Sequence, residues 1–365
     1  MNTTRTRPRV ALLIGGRSTE HSISCLTAAG VLTHLDRDRY DVIVLGITRS
    51  GAWVHLPDDA TPLEGGRAEV DPQAPAAALV QTADGCVHAW SGGRDRGRVD
   101  VVFPLLHGPF GEDGTVQGML EMLGVHYVGA GVFASAAGMD KQFTKVVLAG
   151  AGLPVGPYVA ATAQRFERES DAVLAECARL RPPLFVKPAR AGSSMGITRV
   201  TDLAQLEDAI REAQRHDPKV IIEQGIEGRE IEVAVLQGRD GKARVAPIGE
   251  LIMDLPSDGF YDYETKYFAH DAVTMACPAE LTAEQEHTIR DLAIRTFEAL
   301  ECEGLARVDF FLPSDGNPVI NEINTMPGMT PYSMFPYLWA AGGLHYTELV
   351  SELIELALQR EQGLR

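Results

Sequence analysis

No apolar run in the chain approaches the ~20 residues of a membrane span. The one apolar stretch near the N-terminus, residues 10–14, is too short for a signal segment and ends in Gly15-Gly16. The five cysteines (Cys25, Cys86, Cys177, Cys277, Cys302) are scattered and form no CxxC pair. That spacing argues against a zinc site or a disulfide framework and fits a reducing compartment. Positive charge is in short supply: the formal net charge of −17 argues against a nucleic-acid surface. It still permits a local group of lysines around an anionic ligand. There is no GxxxxGK[ST] loop, no internal repeat and no low-complexity tail. What is present is a soluble composition, 45% hydrophobic and 23% charged, in 365 residues, enough for two or three domains. The expectation is a cytoplasmic protein with neither membrane nor nucleic acid as partner.

Residues 10–14 read as a buried parallel strand, followed by a polar glycine loop and a helix over residues 23–35 with Ser22 as its cap. Further strands at 41–48 and 99–106 make an α/β unit with ligand loops at the strand C-termini. Residues 57–97, rich in Ala, Pro, Gly and Asp, read as a peripheral insertion with one strand candidate at 86–90. The glycine-rich loop His107-Gly-Pro-Phe-Gly-Glu-Asp-Gly114 precedes a helix at 115–123. One helix over 132–149 carries Lys141 and Lys145, and another lies near 171–180. Residues 184–200 read as strand, glycine loop, strand; a helix at 202–216 and a strand at 220–223 follow. Strands at 230–236 and 244–249, an aromatic loop at 260–271 and a helix at 282–300 lead to a hairpin. A helix over 345–359 ends the pattern.

That hairpin, Leu305-Ala-Arg307-Val-Asp309 returning as Val319-Ile-Asn-Glu322-Ile-Asn324, carries its polar residues at even spacing. Arg307 and Asp309 share one strand face, and Glu322 and Asn324 share another. Paired, they would bring acidic and amide oxygens suited to Mg²⁺ beside a guanidinium suited to phosphate or an oxyanion. A solvated sheet face would carry similar charges, and the hairpin alone leaves both readings open.

Two motif matches fail on context. Gly129-Ala-Gly131-Val-Phe-Ala134 fits the dinucleotide pattern GxGxxA, which would make a nicotinamide-dependent oxidoreductase. No acidic residue ends a strand about twenty residues further on, where the ribose partner belongs. Gly192-Ser-Ser194-Met-Gly196 fits the hydrolase elbow GxSxG, but a β-branched strand follows where that elbow needs a helix. Between two strands, the same loop offers backbone N–H groups and hydroxyls to phosphate oxygens, with Lys187 adjacent.

Six segments in fixed order resemble one family. They are His107-Gly with Gly111-Glu-Asp-Gly114; Met139-Asp-Lys141 with Lys145; Lys187-Pro with Gly192-Ser-Ser-Met-Gly196; Tyr261-Asp-Tyr-Glu-Thr-Lys266-Tyr267; Arg307-Val-Asp309; and Asn321-Glu322-Ile-Asn324-Thr-Met-Pro-Gly-Met-Thr330. The series resembles the D-alanine–D-alanine ligases of the ATP-grasp superfamily, from Gly15 to the last helix, outside residues 57–97 and the tails.

The resemblance implies a three-domain α/β and α+β architecture. An N-terminal doubly wound parallel-sheet domain would span 1–128, with two ATP-grasp subdomains at 129–223 and 224–365. It implies that one D-alanine carboxylate attacks the ATP γ-phosphate and that a second D-alanine amine displaces phosphate from the acyl phosphate. Asp309, Glu322 and Asn324 would hold two Mg²⁺ (or Mn²⁺), and Arg307 with the Gly328 N–H the oxyanion. Lys145 and Lys187 would meet the triphosphate under the Ser193–Ser194 loop, and Lys266 the γ-phosphate. Glu223 and Glu230 would take adenine and ribose. Glu20 would bind the first ammonium with His107 nearby, and Ser333 the second carboxylate. Glu20, Ser193 and Tyr267 would link to close the 260–271 loop. The intact Tyr267 favours dipeptide over D-alanine–D-lactate. A homodimer serving peptidoglycan precursor synthesis is implied as well. Gln224 stands where the family often has lysine, and Met326 and Met334 occupy variable positions. Lys141 reads as support for the helix surface, and Glu227 and His270 as solvent-facing.

Overall fold

The computed structural model describes residues 7–64, 68–192, 196–253, 273–330 and 332–361. Ser193, Ser194, Lys266, Tyr267 and His270 lie outside the described residues.

The first unit contains β1 (Arg9–Gly15), α1 (His21–His34), β2 (Asp41–Ile47), β3 (Trp53–Leu56), β4 (Ala77–Gln81), β5 (Val87–Ser91), β6 (Arg94–Val99), β7 (Val101–Pro104), α2 (Thr115–Leu123) and β8 (His126–Tyr127). The main sheet runs β3-β2-β1-β7-β8, parallel except for the β3 edge. Strand β1 is buried on both faces, which is why it reads as an unbroken apolar run. Val10, Leu12 and Ile14 pack with α1 and the last helix of the chain. Ala11 and Leu13 pack with α2 and with β5 and β6. Residues 57–97 are therefore not peripheral. They fold into the antiparallel sheet β4-β5-β6, whose Val87, Ala89 and Val99 close the core under β1. The strand signal is weak because β4 and β6 are largely exposed, and β5 buries the small Ala89 and Ser91 while Trp90 faces outward.

Helix α1 starts two residues earlier than expected, at His21, and has no side-chain cap. Its first turn is tied down by Ser24 instead, whose hydroxyl accepts the Gly15 N–H at 2.7 Å. Ser22 lies inside the helix, so it is not the cap.

The second unit contains α3 (Val132–Met139), α4 (Lys141–Gly150), β9 (Tyr158–Thr162), α5 (Ala163–Cys177), β10 (Leu184–Pro188), β11 (Thr198–Val200), α6 (Leu206–Ala213) and β12 (Lys219–Gln224). The helix expected over 132–149 is two helices. Asp140, extended at φ −94° and ψ 102°, breaks them and caps the second by accepting the Gln142 and Phe143 N–H groups. The sheet β11-β10-β12-β9 carries α5 and α6 on one face, against Val186, Val220 and Ile222. Strands β10 and β11 pair antiparallel, so no helix follows Ser194 and the hydrolase elbow is excluded.

The third unit contains β13 (Arg229–Gln237), β14 (Ala243–Val245), β15 (Gly249–Met253), β16 (Val273–Ala276), α7 (Ala283–Ala299), β17 (Leu305–Leu312), β18 (Val319–Asn324), α8 (Met334–Ala341) and α9 (Tyr346–Gln359). The sheet runs β16-β15-β13-β17-β18, with β14 on β13. Ile231, Val233, Val308 and Phe310 face α7, so Glu230, Glu232, Arg307 and Asp309 face the other way. The hairpin register sets Arg307 opposite Asn324 and Asp309 opposite Glu322. A bulge follows, because Phe310 pairs with Ile320 and Asn321 is the extra residue. That bulge lets Ile320 and Ile323 both reach the core while Glu322 and Asn324 keep to the polar face. Helix α9 returns to the first sheet, where the Tyr40 hydroxyl donates to Glu355 at 2.7 Å. Among the described residues no helix is long and apolar enough to cross a membrane.

Candidate active site

A cleft of about 550 Å³ opens between the second and third units, with the first unit's loops at one end. Glu20, Lys145, Lys187, Glu223, Glu230, Asp309, Glu322 and Asn324, all singled out from sequence, line it together. They come from seven different elements or loops, so their convergence is a property of the fold.

On the wall built by α4, β10 and β12, Glu223 lies between two lysines. Lys145 Nζ is 2.7 Å from its Oε1, and Lys187 Nζ is 2.8 Å from its Oε2. Burial opposes the charge on Glu223, but the two ammonium groups outweigh it and hold the carboxyl down at about 2. Burial likewise works against the Lys187 ammonium, and Glu223, the foremost of its acidic neighbours, lifts it above its ordinary value. Lys141 belongs to this wall too. Its Nζ donates to the Ala191 carbonyl at 3.0 Å and lies 3.7 Å from Glu322 Oε2 across the cleft. Reading a continuous helix placed Lys141 on a surface; the break at Asp140 turns it inward.

On the opposite wall one cation lies among anions. Arg307 donates to both oxygens of Asp309 at 2.7 Å, and its Nε is 3.0 Å from Glu232 Oε2. Burial works against the guanidinium, and Asp309 and Glu232 more than restore it, so Arg307 stays charged. Asn324 Nδ2 donates to Asp309 Oδ2 at 3.1 Å. Sequence reading missed Glu232. Its signal was present, since it alternates with Glu230 on the polar face of β13 and sits opposite Asp309.

At the third side, the Glu20 carboxylate is buried between two backbone loops. A Cβ at Gly108 (φ 71°) would come within 2.5 Å of Glu20 Oε2, and one at Gly192 within 2.7 Å. The left-handed φ makes Gly108 the residue suited to this approach, whereas at Gly192 the conflict is with the tip of the Glu20 side chain alone. Glu112, a second residue without an assigned role, accepts the Gly108 N–H at 2.8 Å. Burial, then the charge of Glu20, pushes its carboxyl up to about 8.

His107 does not line the cleft. It sits behind Glu20 on a smaller apolar pocket, with Nε2 3.0 Å from Thr27 Oγ1. Burial holds its imidazole below the ordinary value, against Glu20 and a backbone bond to Met326. Arg307 lies directly behind Asp309. Gly328 and Ser333 belong to the turn after β18, where the Ser333 hydroxyl accepts the Thr330 N–H at 3.1 Å.

A lysine-rich wall facing an acidic, amide-bearing wall is the layout that phosphate transfer asks for, with a carboxylate at one end to receive a cationic group. Comparison with known proteins gives the family. The family model described as D-ala D-ala ligase N-terminus matches residues 9–130, and D-ala D-ala ligase C-terminus matches residues 147–355. The chain belongs to the D-alanine–D-alanine ligase family. The D-alanine–D-alanine ligase of Pseudarthrobacter chlorophenolicus is 52% identical, over 99% of this chain and 97% of that one. That of Nocardia farcinica is 52% identical over 98% and 99%. Among solved structures, the VanG D-Ala:D-Ser ligase of Enterococcus faecalis superposes with a TM-score of 0.83 at 35% identity, covering 96% of this chain and 99% of that one. The D-alanine–D-alanine ligase of Coxiella burnetii does so with 0.80 at 32%, covering 98% and 95%. The mixed α/β fold of this chain is thus the fold of those ATP-grasp ligases.

Proposed function

We propose that this enzyme joins two D-alanines into D-alanyl-D-alanine at the expense of ATP, through an acyl phosphate, for peptidoglycan precursor synthesis. One observation carries the reading: Asp309, directly opposite Glu322, faces three lysines across a single cleft. Within this proposal residues 1–128 supply the first substrate's loops. Residues 129–223 supply the phosphate wall, and 224–365 the acidic wall. The working form is a cytoplasmic homodimer.

Lys145 and Lys187, with Lys141 added, receive the triphosphate and give up Glu223, which turns to the adenine amino group. Glu230 takes the ribose. Glu20 pairs with the ammonium of the first D-alanine, and its buried carboxylate selects an amino acid over a plain acid. That pairing sets the substrate carboxylate toward the γ-phosphate. Arg307 and the Gly328 N–H stabilise the tetrahedral oxyanion formed when the second amine adds. Ser333 holds the second carboxylate. Lys266, Tyr267, Ser193 and Ser194 keep the roles that the family resemblance gives them.

The donor set of Asp309, Glu322 and Asn324 is all oxygen and hard. Among the described residues no three or more His, Cys, Asp and Glu side chains form a metal cage. Mg²⁺ needs only one or two carboxylates when phosphates and waters complete its shell, so two Mg²⁺ (or Mn²⁺) fit here. When bound they would supply charge neutralisation at the β- and γ-phosphates.

Incubation with ATP, Mg²⁺ and D-alanine should release phosphate and form dipeptide; absence of phosphate release overturns the reading. Adding D-lactate at neutral pH tests the second substrate, and a predominantly ester product would make the enzyme a D-alanine–D-lactate ligase instead.

A further inference from the structure

A second buried ion pair lies outside the cleft. Lys219 Nζ, at the start of β12, is 2.8 Å from each oxygen of Asp140. Both side chains are at most 10% exposed. Asp140 is also the cap of α4, the helix that carries Lys141 and Lys145. Four residues further along β12, on the same strand face, Glu223 pairs with Lys145 of that helix. Helix and strand are thus joined at two points of opposite polarity, Asp140 to Lys219 and Lys145 to Glu223.

Opposite polarity fixes register. Sliding α4 one way would carry Asp140 toward Glu223, and sliding it the other way would carry Lys145 toward Lys219. Either puts like charges together in a buried place, where the repulsion is least screened. The same strand start also ties the root of the glycine loop. Asp217 Oδ1 accepts the Lys219 N–H at 2.9 Å, and the Asp217 carboxylate takes the Arg190 guanidinium at 2.6 and 3.0 Å. The Lys141 N–H donates to the Ala189 carbonyl at 3.0 Å.

The two joints differ in what ATP does to them. Under the function proposed above, on which this inference rests, phosphates replace Glu223 as partner of Lys145 and Lys187. The joint at Glu223 is then surrendered each time nucleotide binds. We propose that Asp140 and Lys219 are positioning residues for ATP. Their pair touches no substrate and stays closed through the exchange, keeping Lys141 and Lys145 aimed at the phosphates.

The test is a titration of the full chain with ATP and Mg²⁺ in the absence of D-alanine, together with the melting temperature with and without ATP. Lys219→Met should weaken ATP about tenfold, shrink the ATP-induced rise in Tm, and leave KM for D-alanine within about twofold. Lys219→Arg, which keeps the charge, should recover most of the ATP affinity. A pair that only stabilised the fold would lower Tm alone, so unchanged ATP affinity in Lys219→Met overturns the proposal. If that variant does not fold, Asp140→Asn decides by the same titration, since asparagine keeps the helix cap and removes the charge. Lys187→Met separates this inference from its foundation. Wild-type ATP affinity there would defeat the nucleotide reading itself, whatever Lys219 does.

Discussion

The two walls of the cleft solve one electrostatic problem with inverted signs. On one, the single anion Glu223 lies between Lys145 and Lys187. On the other, the single cation Arg307 lies between Asp309 and Glu232. Each central charge makes its partners tolerable in a buried place, and each leaves its wall with a surplus of one sign. Under the proposed function, the surplus is positive where phosphates would go and negative where divalent cations would go. The walls also differ in construction. Arg307 and Asp309 stand two residues apart on β17, locked by one hairpin, whereas Glu223, Lys145 and Lys187 come from three elements. On that proposal the acidic wall keeps its pairing, and the basic wall exchanges its anion for phosphate.

The largest expected effect lies on the acidic wall. Glu322→Gln removes one ligand charge without changing shape, and turnover should fall on the order of 10²-fold or more. The melting temperature should stay near wild type. Near-normal turnover would refute the assignment of Glu322 to a metal.

The contrast between fixed and exchangeable charges is sharpened by two stability measurements. Arg307→Met leaves Asp309 and Glu232 facing each other across β13 and β17, and should cost about 3–5 kcal/mol. Added ATP should not restore that loss. Glu223→Gln leaves Lys145 and Lys187 without their anion and should destabilise the free enzyme as well. Here phosphates replace the missing carboxylate, so ATP should raise Tm more in Glu223→Gln than in wild type. Equal responses of the two variants to ATP would erase the distinction between the walls.

The acidic wall was legible in the sequence because one hairpin encodes it. Period-2 spacing in two short strands puts Arg307 with Asp309, and Glu322 with Asn324, on one face each, and the hairpin register then sets Asp309 opposite Glu322. The basic wall was legible only as separate lysines. That Glu223 would lie between two of them depends on how α4 crosses β12, a tertiary fact with no local signature. Lys141 was misplaced for a related reason. The run from 132 to 149 is rich in Ala and Val, with Gly138 and Asp140 as the weak points in its helix propensity. The break falls at Asp140, a residue type that favours helix caps, and its pairing with Lys219, seventy-nine residues away, is the part that no local signal carries. The insertion at 57–97 was legible as strands at only one place, since its core contacts lie beneath β1 and not within itself.

The smallest effect concerns Glu112, the acid beside Glu20 that belongs to neither wall. Its carboxyl lies at about 8 in the folded chain, raised by burial and then by Glu20, against 4.5 for an ordinary glutamate. Between those two values the folded chain holds a proton that the unfolded chain has released. Stability therefore falls as pH rises through this window, by at most about 1.4 kcal/mol per pH unit, and levels off beyond about 8. His107, whose imidazole burial holds low, works in the opposite direction near neutrality. Because both chains keep His107, comparing wild type with Glu112→Gln isolates the carboxyl. Glutamine still accepts the Gly108 N–H but binds no proton, so the variant should lose less stability between pH 5 and 8. Denaturant unfolding across that range checks it: parallel curves would mean that Glu112 is ionised in the folded chain and that Glu20 does not hold its proton on. A flatter curve for the variant would instead identify a neutral acid at the mouth of the Glu20 pocket. Under the proposed function, a neutral Glu112 would leave Glu20 as the acid that meets the ammonium of the first D-alanine.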